Sequence, residues 1–312
     1  MNATEPSMEK QKNRELKPFP GISSSPSLVL IKKTLIFDLC TIKRIIMSVF
    51  FLVLVPALIL AFTPPDNLSG DDHLLQLLGI TTWYYTFSIM FPIIIIGATG
   101  PLISEELRTG TLLFLVSKPI NRTRIVLSKF IALYIFGIVV SFLSLSIISV
   151  FAVIKNPFDD IGAYFGIFFL YSLVITLFFG GITMGFSSIF RRPRNVLLIP
   201  LALVIFSFLV IMMFKPLLFY GSNWYEKYLL YNVDIGYHFG QVFLWFGESF
   251  VPEILDYFGF FFVMFGIAKT DDFSSFEKTN YYPPVVSFIY LIVISVIFLV
   301  VGALYLKKRD IS

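Results

Sequence analysis

Six stretches of this 312-residue chain, 45–62, 83–103, 130–154, 161–190, 195–214 and 285–306, contain no Asp, Glu, Lys, Arg or His. Nothing else in the sequence restricts the fold as strongly. A helix rises about 1.5 Å per residue, so a run of ~20 apolar residues crosses the hydrocarbon core of a bilayer. Hydrocarbon offers no partner for a free N–H or C=O, so each run is expected to be helical. Composition agrees: 57% of residues are hydrophobic and 14% charged, against about a quarter charged in a soluble domain. The fold class expected is an all-α integral membrane protein with six transmembrane helices.

The charges between the runs orient them. With the N-terminus, the 104–129 loop, the Arg191, Arg192 and Arg194 turn and the C-terminus on one side, that side holds nineteen of the 24 Lys and Arg. It holds seven of the 20 acidic residues, so the two sides carry net +12 and −8. Basic flanks stay cytosolic, which places both termini there, in a multi-pass protein of the cell membrane. The basic residues flank spans where anionic lipid headgroups would meet them, so nucleic acid is not a partner.

Residues 1–27 are polar, with Lys10, Lys12, Arg14 and Lys17 against Glu5, Glu9 and Glu15. They read as a flexible cytosolic tail without a cleavable signal. Over 28–44, Leu28, Ile31, Leu35, Leu39 and Ile42 recur at three- and four-residue spacing, with Lys32, Lys33, Lys43 and Arg44 alongside. This is the pattern of an amphipathic helix in the cytosolic headgroup layer. The outer region 215–284 is acidic and aromatic. Its stretch 242–268 is interrupted by Glu248, Glu253 and Asp256, each costing about 2.5–3.5 kcal/mol in mid-membrane. An interfacial or re-entrant helix pair, turning between Gly247 and Pro252, is expected there. Gly162 with Gly166 and Gly181 with Gly185 are spaced for close helix approach on the fourth span. Trp83, Tyr84, Tyr85, Tyr281 and Tyr282 stand where an outer aromatic belt would.

The chain lacks GxxxxGK[ST], HExxH and GxSxG, so neither a P-loop ATPase nor those hydrolase chemistries are expected from it. Cys40 is its only cysteine, which excludes an intrachain disulfide. His73, after Asp71 and Asp72, reads as part of a solvated outer loop rather than a metal site, and His238 has no evident partner. No catalytic, cofactor-binding or metal-binding residue is assigned. Ion-coupled pumps need ionisable groups on the path, whereas these spans offer only hydroxyls such as Ser141, Ser144, Ser146, Ser149 and Thr176. Energy, if used, is expected to enter from outside the membrane.

The 104–129 loop is the plausible entry point. The second span runs on through Glu106, and Thr109-Gly110 interrupts it. An apolar segment from Thr111 to Val116 follows, and Ser117 before Pro119 is a helix-start arrangement. Arg122, Arg124 and Lys129 open the third span, and Arg122 or Arg124 is placed to pair with Glu106. The expected product is a rigid cytosolic elbow between two long helices.

The ordered set Glu106, Gly110, Thr111, Ser117, Pro119, Ile120, Arg122 and Lys129 resembles the cytosolic loop of type-2 ATP-binding-cassette (ABC) export permeases. The closing Arg309-Asp310 is similar to that family's basic-plus-Asp ending. The resemblance covers roughly 28–312, and departs from the family in the length of the outer region and of the N-terminal tail. It implies a six-span permease domain, 28–312, that pairs with a second permease as a homodimer or heterodimer. It also implies a separate P-loop ATPase subunit that binds ATP and Mg under the elbow, with no cofactor in this chain. Glu106, Gly110, Thr111, Ser117, Pro119 and Arg122 are then the ATPase-coupling residues, and the direction is export. A reading from another class is a membrane-embedded scaffold or sensor acting through 215–284.

Overall fold

The computed structural model describes residues 26–63, 71–111, 121–155, 160–216, 224–270 and 276–309. The tail before residue 26, including most of the segment read as flexible, lies outside them. Among the described residues six helices are long and apolar enough to cross a membrane: Ile42–Phe62, Gln76–Thr109, Arg122–Lys155, Ile161–Ile189, Pro193–Pro216 and Pro284–Lys308. We number these spans one to six. Each contains or overlaps one uncharged run. Several are longer than their runs, because flanking Lys, Arg and Glu are good helix formers and extend the ladder. Pro193 and Pro284 open spans five and six, where their missing N–H is no loss and their fixed φ suits the first turn.

Spans two and four are the centre of the molecule. Two-thirds of the most apolar window of each is buried, against 22% for span six. Spans one, three, five and six turn Phe50, Ile154, Phe214 and Val301 outwards, as a surface meeting lipid or another apolar chain would. Spans four and six pack closely along glycines. A Cβ on Gly181 would stand 2.0 Å from Ser295 Oγ, and one on Gly185 2.4 Å from the Phe298 carbonyl. Ser295 Oγ donates to the Leu177 carbonyl at 2.6 Å across this seam. Gly162 and Gly166 do not share such a role: nothing lies within 4 Å of a Cβ on Gly162, and Gly166 faces only the Phe250 ring. The spacing rule describes one helix, and only a partner helix at the right depth makes use of it.

The N-terminal segment is an α-helix, Pro26–Lys33, continued by a π-helical turn, Thr34–Leu39. The chain is extended at Thr41, and span one starts at Ile42. Leu30, Thr34 and Leu39 are buried, while Leu28 and Phe37 are exposed, Phe37 by 73%. Ile31 and Leu35 are partly buried against the core beside Leu39, so the middle of the expected stripe faces inward, while Leu28 does not and Ile42 belongs to the span.

Between spans five and six, after the short helix Trp224–Lys227 and a 3-10 turn, lie two longer helices, Ile235–Phe250 and Ile254–Phe265, joined at 251–253, at the late edge of the expected turn. Gly247 lets them close, since a Cβ there would be 2.3 Å from Ile254 Cδ1. Two short antiparallel strands follow, with Ala268 opposite Lys278 and Lys269 opposite Glu277. Residues 71–81 form a helix, Asp71–Thr81, not the loop expected around His73. Trp83 also departs from expectation. It is fully buried, stacked on Phe243 and Phe265 at 4.5 and 4.6 Å, so it anchors the outer helices to span two rather than joining an aromatic belt. Interior burial of an indole removes more apolar area from water than a place at the interface does.

Candidate functional site

The inner end of span two is built around a break. Pro101 has no N–H to give, and the hydroxyl of Ser187, from span four, enters the gap. Ser187 Oγ accepts from the amides of Ile103 and Ser104 at 3.2 and 3.1 Å and donates to the Gly100 carbonyl at 2.8 Å. Ser104 Oγ donates to the same carbonyl at 2.6 Å. Backbone groups on either side of Pro101 are thus partnered by a hydroxyl from a neighbouring helix, where the apolar surroundings offer no water. A Cβ on Gly100 would come within 2.5 Å of Leu197, so span five also closes on this point.

Beyond the break the helix continues to Thr109. Glu106 faces span three and pairs with Lys129 at 2.6 Å. Lys129 is 1% exposed and donates as well to the Leu102 carbonyl. The Glu106 partner is therefore Lys129 and not Arg122 or Arg124, which contradicts the pairing expected from sequence. A helical offset explains this. Span three begins at Arg122, capped by Asn121 Oδ1, which accepts the Thr123 amide at 3.2 Å. Two turns separate Arg122 from Lys129, and the deeper cation is the one level with Glu106. Beside the pair is a recess of ≈ 290 Å³ lined by Phe37, Asp38, Arg44, Pro101, Glu105 and Glu106, so the N-terminal helix also borders this site.

Gly110 ends the helix with φ 75°, the left-handed conformation that glycine adopts without steric cost. Thr109 Oγ1 donates to the Glu105 carbonyl and lies 3.0 Å from Thr111 Oγ1. Ser117 and Pro119 lie outside the described residues. Arg122 turns away from Glu106. Its Nη1 donates to the carbonyls of Leu306 and Arg309, at 3.2 and 2.5 Å. The sequence named Glu106, Gly110, Thr111 and Arg122, but not Ser187, which nothing in its local sequence distinguishes from Ser188.

The outer end carries a second polar cluster. Lys215, fully buried near the end of span five, pairs with buried Asp234 and donates to the Phe265 carbonyl at 2.6 Å. Tyr225 donates to Asp234 at 2.7 Å, and Asp234 also caps the helix behind it through the Tyr237 amide. Burial, and then the Asp234 charge, push the Tyr225 phenol far up. His238 Nδ1 lies 3.0 Å from Ser287 Oγ, and its ring stacks 4.0 Å from Tyr290. Burial lowers His238 to about 4, so it is neutral at pH 7. His238 and Ser287 are both buried, so this hydrogen bond ties the helix Ile235–Phe250 to span six. Glu226, bonded by Lys269 and Tyr281, is held below the usual carboxylate range. Lys278 pairs with Glu248.

Of the hydroxyls singled out in the sequence, all but Ser149, which is buried without a hydrogen-bond partner among the described residues, bond within their own helices. Ser141, Ser144, Ser146 and Thr176 each donate to a carbonyl three or four residues back. Among the described residues no group of three or more His, Cys, Asp and Glu is placed to hold a metal.

The family model described as ABC-2 family transporter protein matches residues 4–311. No curated protein matches the chain.

Proposed function

The chain belongs to the ABC-2 family of transporter proteins, a family of membrane components, and from that membership we propose that it is the permease subunit of an ATP-driven exporter. A separate P-loop ATPase binds ATP and Mg and docks beneath the segment between spans two and three. Two permeases, alike or homologous, enclose the path, with both termini in the cytosol of a cell-membrane protein. Closure of the ATPases biases a two-state equilibrium of the permease pair towards the outward-open form.

The observation that carries this reading is the construction of the inner end of span two. Its helix is fixed against span three by Glu106 and Lys129 and against span four by Ser187. It then stops at a glycine in the left-handed region. A helix so fixed transmits displacement as a unit, where a mobile loop would absorb it. Glu106 braces the site, Gly110 sets the direction in which the chain leaves it, and Thr111, Ser117 and Pro119 belong to the docking segment.

The test is affinity purification of the chain from its native membrane in mild detergent, with identification of what accompanies it. A stoichiometric P-loop ATPase is expected. Gly110→Pro forces φ near −65° where +75° is required. That variant is expected in the membrane at normal level, with transport-linked ATPase stimulation abolished. Normal stimulation in Gly110→Pro would sink the coupling role. A folded chain that brings no ATPase would favour a scaffold acting through its outer region.

A further inference from the structure

Arg122, named as a coupling residue by the family resemblance, turns away from Glu106, and Arg309 has been given no role. Arg122 reaches the Leu306 carbonyl in the last turn of span six and the carbonyl of Arg309, the residue that follows the helix. Arg309 in turn donates through Nη1 to the carbonyl of Ile189, the last residue of span four, at 3.0 Å. The last four carbonyls of any helix have no partner within it, and the negative end of the helix dipole favours a cation. Two helix ends are therefore each met by a guanidinium from elsewhere in the chain. Hydrogen bonds from a charged donor are the stronger kind, and the two N–H groups of Arg122 Nη1 serve one carbonyl each.

These bonds close a ring. Span three holds span six through Arg122, and span six holds span four through Arg309 and the Gly181 and Gly185 seam. Span four holds span two through Ser187, and span two returns to span three through Glu106 and Lys129. We propose that Arg122 and Arg309 form a clasp that makes the inner ends of spans three, four and six one body. Displacement of the elbow is then delivered to the span four and six pair. Both arginines are positioning residues of coupling. The clasp's place in coupling rests on the reading of 104–129 as the elbow; its rigidity does not.

The experiment uses the full chain in nanodiscs, with Cys40→Ser and spin labels at Leu127→Cys and Leu304→Cys. Both sites face outwards, on spans three and six. With labelled chain diluted in unlabelled chain, so that distances within one permease are read, one narrow distribution is expected, unchanged when the ATPase complex is trapped with Mg-ATP and vanadate. Arg122→Gln or Arg309→Gln is expected to broaden it and to lower ATPase stimulation at least fivefold, with the ATPase still bound. The double variant should be no worse than either single one, since the bonds act in series. If a Gln variant fails to fold, Arg122→Lys and Arg309→Lys take its place, with an intermediate broadening expected. Unchanged distances and stimulation in the variants would overturn the proposal. Loss of the ATPase from Arg122→Gln would overturn it too, by making Arg122 a docking contact. If the parent chain carries no ATPase, the elbow reading has failed. The distances in the permease alone then decide the clasp, which stands if they broaden in the variants and falls if they do not.

Discussion

At the residue scale, the buried charges are the groups whose loss costs most. Lys215 and Asp234 compensate each other out of contact with water, with Tyr225 and the Phe265 carbonyl satisfying what is left. Removing one member of such a pair strands the other, at about 3–5 kcal/mol, whereas replacing both by apolar groups is often close to neutral. Asp234→Asn is therefore expected to lower stability by roughly that amount, and Lys215→Met added to it should recover much of the loss; thermal unfolding in detergent measures both. His238 gives a pH effect of definite sign. Its folded value of about 4 lies below the ordinary 6.5, so between those values the unfolded chain binds a proton that the folded chain refuses. Stability then falls as pH is lowered from 6.5 towards 4 and stops falling from this cause below it. His238→Gln keeps a hydrogen-bonding group near Ser287 without titrating. Melting curves that fall in parallel for parent and variant across that window would remove His238 as the origin.

At the element scale, the helices are ordinary and the seams between them are particular. Span four meets span six through glycines where backbone approaches backbone: a Cβ on Gly302 would stand 2.6 Å from the Cα of Gly185. A neighbouring backbone cannot rotate away as a side chain can, and overpacking of a close seam costs about 1–3 kcal/mol or more. Gly185→Leu is expected to lower the melting temperature and to loosen span six, raising the labelling of a cysteine introduced at Ala303, which is buried on span six. Gly162→Leu, with open space around it, serves as the control and should leave both unchanged. A Gly185→Leu protein as stable as its parent would show that the seam does not hold the bundle. Glycine pairs with identical spacing thus differ in consequence, because the spacing says nothing about depth or partner.

At the scale of the whole molecule, the two polar clusters divide the labour of holding the bundle. The outer one ties span five, the outer helices and span six through Lys215, Asp234, His238 and Ser287. The inner one ties spans two, three, four and six through Ser187, Lys129, Arg122 and Arg309. Between them lie apolar contacts and aromatic stacking, such as Phe87 on Phe168 at 5.8 Å. Such contacts are less directional than charge-assisted bonds. Purification with the ATPase and the clasp distances both belong to this scale, because they read how one end answers events at the other.

The six spans were legible in the sequence because burial in lipid leaves the chain one solution, a helix with its polar groups paired inside it. Gly110 was legible for a related reason: a helix end in the left-handed region selects glycine locally. Membership of the family was visible in the ordered residues of one loop. The partners of Glu106, Arg122, His238 and Trp83 were not. Each pairs with a residue on another helix, Lys129, Leu306, Ser287 and Phe243, and the depth at which two helices cross sets the pairing. Helix formation depends on neighbours in the chain, and the sequence determined it. Which charge meets which, which glycine is needed and which aromatic is interior depend on the relative height and rotation of packed helices, and only the tertiary structure decided them.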